Sequence, residues 1–264
     1  MERTADCLRP AMAEQDAPDS REFLYLAEGI KEVSMINQRY KSMLAAKSVI
    51  RELAEYATAR GREIGYENVF DFSLGNPSVE APAEYNQSVI RRYQTMSSMD
   101  LHGYSPSLGN MQVRGIVADS LRRRFGIPYE ARHIFMTSGA AGAIAHAVRA
   151  VTSPGDTVLT FAPFFPEYVP YVEGAGARLE VVPARREDFQ ADTDAFLQML
   201  TPDVQAVLIN TPNNPSGALW SEETLGQIAE IMRQKVEEYG HDIFLISDEP
   251  YREIVFDGKK TPYP

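Results

Sequence analysis

Gln205-Ala206-Val207-Leu208-Ile209-Asn210-Thr211-Pro212-Asn213-Asn214-Pro215 passes from an apolar run straight into a turn of carboxamides and prolines. Ile243-Phe244-Leu245-Ile246-Ser247-Asp248-Glu249-Pro250-Tyr251 repeats the pattern with a carboxylate at the break. Near-continuous Val, Leu and Ile in a run this short predicts a strand buried on both faces, as in a mostly parallel sheet covered by helices. Working outward, similar runs at 133–137, 157–161 and 178–182 predict further strands, with amphipathic helices near 110–125, 140–152, 192–200 and 221–239. Strands alternating with helices in this way are the rhythm of βαβ units, so the predicted fold class is α/β. Ligands of such a sheet bind at the carboxyl ends of its strands, which directs attention to the residues just past each run.

Those residues carry chemistry, although each has a plainer reading. Ser138-Gly139-Ala140-Ala141 opens a helix with small side chains only. Uncovered backbone N–H groups at a helix start form an anion site, yet small residues also suit any tight strand-to-helix turn. Phe164, Phe165 and Tyr168 follow the 157–161 strand and could stack on a planar ring or simply pack in a core. Asn213-Asn214-Pro215-Ser216-Gly217 is a strong turn sequence whose carboxamides could also donate to a ligand oxygen. Asp248 ends a run of apolar or small residues, where a carboxylate is costly without a donor or a cation to meet it.

Composition narrows the partners. The sequence has 264 residues, 44% of them hydrophobic, and a net charge of −11, which argues against broad contact with nucleic-acid phosphates or anionic membrane. Cys7 is the only cysteine, so neither an internal disulfide nor a cysteine-rich zinc site can form. His102, His133, His146 and His241 share no metal-ligand spacing, and no metal is expected. No apolar run approaches the roughly 20 residues of a membrane span, and no signal peptide is apparent, so a cytoplasmic protein is expected. Upstream, residues 1–34 are acidic and without periodicity and are expected to form a disordered extension. A helix is expected over 48–60, then a short strand at 70–74 entering a turn at Gly75-Asn76-Pro77.

Taken in order, Phe72 to Pro77, Tyr104 with Gly109, Ser138 to Ala141, Pro163 to Tyr168, Asn213 to Gly217 and Asp248 to Tyr251 resemble the aspartate-aminotransferase-like family. These are the fold type I pyridoxal-phosphate enzymes. The resemblance implies an N-terminal arm and part of a small domain over 35–75, and a large cofactor-binding domain, incomplete, over 76–264. It implies that Gly139, Ala140 and Ala141 line the phosphate of pyridoxal 5'-phosphate and that Phe165 stacks on its ring. It further implies that Asn214 and Tyr251 donate to the phenolic oxygen and that Asp248 faces the ring nitrogen. Tyr104 would reach the phosphate of a neighbouring subunit and Gly75 would border the substrate carboxylate, which implies a homodimer acting on amino acids and 2-oxo acids. The lysine that links covalently to the cofactor follows the Asp-x-x-Tyr motif in the family. Here only Lys259 and Lys260 follow Asp248, beside an Asp257-Gly258 turn, so that lysine is expected to be absent from the sequence and the chain to be inactive alone. A lyase or decarboxylase of the same fold, or a non-catalytic module of this type, is the alternative.

Overall fold

A computed structural model describes residues 40–41, 49–73, 75 and 79–264. The expected 1–34 extension and the turn residues Asn76 and Pro77 lie outside the described residues. Two compact units divide the chain, Met1–Ala81 and Pro82–Pro264.

In the first unit, α1 spans Val49–Ile64, four residues past its expected end at Arg60. Gly61 permits the following turn, because a Cβ there would stand 2.4 Å from the Tyr66 ring. The strand expected at 70–74 is absent over the described residues 70–73. Phe70 and Phe72 are exposed, and Asp71 Oδ1 accepts from the Ser73 amide at 2.8 Å and its hydroxyl at 2.6 Å. A strand exists only through hydrogen bonds to a neighbour, and here a local side-chain bond takes the backbone group instead.

The second unit contains α2 (Ala83–Thr95), α3 (Ser98–His102), α4 (Met111–Phe125), α5 (Gly139–Val151), β1 (Thr157–Phe161), α6 (Tyr168–Gly174), β2 (Arg178–Val182), α7 (Thr193–Met199), β3 (Val204–Asn210), α8 (Glu222–Tyr239) and β4 (Phe244–Asp248). Helices α4, α7 and α8 begin at side-chain caps, with Asn110, Asp192 and Ser221 each accepting a first-turn amide. Gly126 and Gly240, both at positive φ, end α4 and α8 in the left-handed turn that glycine adopts without steric cost.

The four strands are parallel in the order β2-β1-β3-β4. Alternate residues of the strands serve opposite faces. Leu159, Phe161, Val207 and Ile209 pack with Phe196 of α7 and Ile228 of α8, whereas Val158, Ala206 and Leu208 pack with Ile144 and Val148 of α5 and Tyr168 and Val172 of α6. The sheet thus lies between two helical layers, as the apolar runs imply. Leu208 is fully buried in the strand second from the β4 edge, and Leu208→Ala is expected to cost about 3 kcal/mol of stability, measurable by denaturant unfolding.

Two expectations fail in the same way. Residues 134–137 form no strand; a short 3₁₀ turn, Ala131–His133, precedes them, and Phe135 and Met136 stay exposed. Their hydrogen bonds are not those of a strand: the Ile134 amide donates to the Ala131 carbonyl at 3.2 Å, Arg114 Nε to the Ile134 carbonyl at 2.7 Å and the Thr137 hydroxyl to the Gly139 carbonyl at 2.9 Å. β4 is not buried on both faces either, because Phe244 and Leu245 are exposed. Among the described residues no strand lies on the outer edge of β4 or beside 134–137, and an apolar run becomes a buried strand only where a neighbour covers it.

Candidate active site

The carboxyl ends of β1, β3 and β4 place their exit loops together, and hydrogen bonds tie them. Asn210, the last residue of β3, is buried and pairs in register with Asp248, the last residue of β4. Its side chain donates to the Asp248 carbonyl at 2.8 Å and accepts from the Asn214 amide at 2.7 Å. Asn213 donates to the Pro163 carbonyl at 3.1 Å and, through Oδ1, accepts from the Ser216 amide and hydroxyl. The loops after β1 and β3 are thereby fixed to each other, with cis bonds before Pro163, Pro212 and Pro215.

Asp248 shares a sheet face with Ile246 and meets α6 from that side: the Tyr168 hydroxyl donates to Asp248 Oδ2 at 2.6 Å. Burial pushes the Asp248 carboxyl above the ordinary carboxylate range and neighbouring Glu249 pushes it the same way, while the Tyr168 hydroxyl pulls it down. Burial also raises the Tyr168 phenol, so this hydroxyl keeps its proton and acts only as a donor to the carboxylate. A half-buried carboxylate held by one neutral donor gains most from a cation or a protonated nitrogen placed against it.

Phe165 packs edge-on to Tyr168, the donor to that carboxylate, with ring centroids 5.8 Å apart at 85°. Asn214 Nδ2 donates to the Tyr251 hydroxyl at 3.1 Å, so two further donor groups converge past the ends of β3 and β4. Phe165, Asn214, Asp248 and Tyr251 are each half-buried.

α5 packs against β3 and β4 and starts at Gly139, whose φ of 79° is open to glycine and strained for other residues. Ser138 forms no side-chain cap, and no acidic residue stands in the first turn. Gly139, Ala140 and Ala141 are exposed, so the first amides of this helix offer unobstructed donors at the positive end of its dipole. No hydrogen bond joins this helix start to Asp248 or Asn214; they share only the strand-end side of the sheet. Tyr104, in the loop between α3 and α4, is fully exposed and touches none of these groups. Gly75 belongs to the other unit, with nothing within 4 Å of a Cβ built on it.

Two contributors were not singled out as site residues from the sequence. Tyr168 stood there only as one of three clustered aromatics, and Asn210 only as the end of an apolar run. A carboxamide closing a fully buried strand must find partners, and that cost was the available signal. Tyr168→Phe is expected to raise the Asp248 pKa further, since the one interaction pulling it down is lost; ¹³C NMR of labelled aspartate carboxyls over a pH series measures it. Among the described residues, no three His, Cys, Asp or Glu side chains are grouped to hold a metal ion, and no helix is long and apolar enough to cross a membrane.

Comparison with known proteins identifies the family. The family model "Aminotransferase class I and II" matches residues 67–263. A probable N-succinyldiaminopimelate aminotransferase of Mycobacterium tuberculosis is 34% identical over 80% of this chain and 50% of its own length. A probable aspartate/prephenate aminotransferase of Thermus aquaticus is 30% identical over 84% of this chain and 55% of its own. Among solved structures, an amino transferase from Eubacterium rectale superposes with a TM-score of 0.83 at 42% identity, covering 88% of this chain and 58% of that one. The chain spans about half the length of the curated relatives it matches. With the strand-end site, the parallel sheet and a family match running through both, the chain belongs to the class I and II aminotransferases.

Proposed function

We propose that this chain holds pyridoxal 5'-phosphate and contributes the cofactor-binding half of a transaminase site that moves an amino group from an amino acid to a 2-oxo acid. The observation that carries this reading is Asp248, half-buried at the end of β4 with only the Tyr168 hydroxyl against it and the Asn214–Tyr251 pair nearby. This set of groups suits a pyridine that bears a proton on nitrogen and an oxygen on the ring carbon two positions away. Bound there, the cofactor supplies an electron sink for the pair left when an α-carbon loses its proton.

The residues divide the work of holding it. Asp248 keeps the ring nitrogen protonated, Phe165 supports the ring face, and Asn214 and Tyr251 donate to the ring oxygen. The amides of Gly139, Ala140 and Ala141 take the phosphate. In the same reading the protein is a cytoplasmic homodimer, Tyr104 reaches across to the phosphate of the neighbouring subunit and Gly75 borders the substrate carboxylate. Residues 35–75 serve as arm and part of a small domain, and 76–264 as the large domain. The relatives' names join different amino acids to one reaction type, which supports α-amino transfer as the shared chemistry.

The covalent link to the cofactor is proposed to need a lysine that this sequence does not supply. Lys259 and Lys260 are exposed beside a turn. Lys235 is paired with Glu238 on α8. Titration with pyridoxal phosphate followed by borohydride reduction and peptide mapping tests both halves of the proposal. Saturable binding without stoichiometric labelling of one lysine is the expected result. Absence of binding overturns the cofactor reading, and a single fully labelled lysine overturns the other half.

A further inference from the structure

Immediately behind Asp248 and Tyr251 lies a network that the cofactor reading does not use. The Arg252 side chain, 10% exposed, donates through Nε to Glu249 Oε2 at 2.5 Å. Its two terminal nitrogens donate to the carbonyls of Thr261 at 3.2 Å and Pro262 at 3.0 Å. The guanidinium rests against two rings that pack on each other, 4.8 Å from the Phe125 centroid and 4.7 Å from that of Tyr263, with the two centroids 4.9 Å apart. Glu249 in turn accepts from the Ser247 hydroxyl at 2.8 Å through its other oxygen. Ser247 and Glu249 flank Asp248, and Arg252 follows Tyr251. One chain of bonds, Ser247 to Glu249 to Arg252, therefore brackets both residues from outside the site.

Burying a guanidinium is costly unless each donor is met, and here a planar fork finds a carboxylate, two carbonyls and two ring faces. Its flat geometry fits those partners where a flexible ammonium could satisfy only one. A turn closed merely for stability would need no such convergence on the residues either side of Tyr251. We propose that Arg252, acting through Glu249, is a positioning residue that fixes the turn after β4 so that the Tyr251 hydroxyl meets Asn214. This rests on the cofactor reading above, with Tyr251 and Asp248 as ligand-facing groups.

The test is a double-mutant cycle on the full chain, with pyridoxal phosphate affinity as one readout. Arg252→Met and Arg252→Lys are each expected to weaken binding about tenfold, because the lysine keeps the charge but loses the fork. In a Tyr251→Phe background the same changes are expected to matter less than twofold, since the group they position is gone. An equal loss in both backgrounds would assign Arg252 a general stabilising role and overturn the proposal, as would full rescue by lysine. A cofactor-independent measurement separates this from failure of the cofactor reading. The Ile254 amide bonds the Tyr251 carbonyl at 2.8 Å, and its hydrogen exchange is expected to quicken about tenfold in Arg252→Met while the β1 amides stay protected. Unchanged Ile254 protection overturns the proposal even if no cofactor binds.

Discussion

Ala140→Asp is expected to weaken pyridoxal phosphate binding by on the order of a hundredfold without lowering the melting temperature. The two effects have opposite signs because they arise from the same dipole. An aspartate in the first turn of α5 faces the positive end of the helix and, by itself, stabilises it by about 0.3–1 kcal/mol. The same carboxylate occupies the space where the phosphate takes its backbone donors, and like charges at contact cost several kcal/mol. Ala140 is exposed and its helix begins without a side-chain cap, so nothing in the fold needs to shift to admit the larger residue. Fluorescence titration and a thermal melt on the same sample measure both. Equal affinity in the variant would place the phosphate elsewhere.

Asp248→Asn is expected to weaken the cofactor by about ten- to a hundredfold, the range of a charge-assisted hydrogen bond of roughly 1.5–3 kcal/mol. Without cofactor it should raise stability, and the pH dependence fixes the sign. Burial holds the Asp248 carboxyl above its ordinary value, so the native state binds this proton more tightly than the unfolded state. That contribution is complete below the ordinary carboxylate range and is lost as pH rises through the raised value. Asparagine does not titrate and its oxygen still accepts from Tyr168, so the variant gains on the parent across that window and keeps the gain above it. Solvent reaching the half-exposed carboxylate limits the gain to about 2 °C in melting temperature. Melts of both proteins from acid to neutral pH measure it; a parent that stays ahead at neutral pH would contradict a carboxylate disfavoured by burial.

The sheet could be read from the sequence because β1 and β3 are short apolar runs with a strand on each side, and the observed limits of β1, β2 and β3 differ from the expected ones by a residue at most. Residues 134–137 and β4 have equally apolar sequences, yet among the described residues neither has a strand on both sides. Local pattern reports what a segment can bury, and only the neighbour decides whether it does. α2, α3 and α6 went unread: α2 and α3 bury no residue, and α6 carries Pro170 within its seven residues, which reads as a break. In the site, Asp248, Asn214, Phe165 and Tyr251 were legible through position, each just past an apolar run. Tyr168 and Asn210 were not, since their roles come from contacts 80 and 38 residues away in the chain, which no local pattern encodes.

The central claim is that Asp248 faces the nitrogen of a bound pyridine ring and holds a proton on it. Nitrogen-15 NMR of the chain saturated with ring-labelled pyridoxal phosphate tests this directly. The expected result is a nitrogen that remains protonated above the pH at which the free cofactor loses that proton, with the difference abolished in Asp248→Asn. A bound ring nitrogen that titrates like the free cofactor, in the parent and the variant alike, would contradict it.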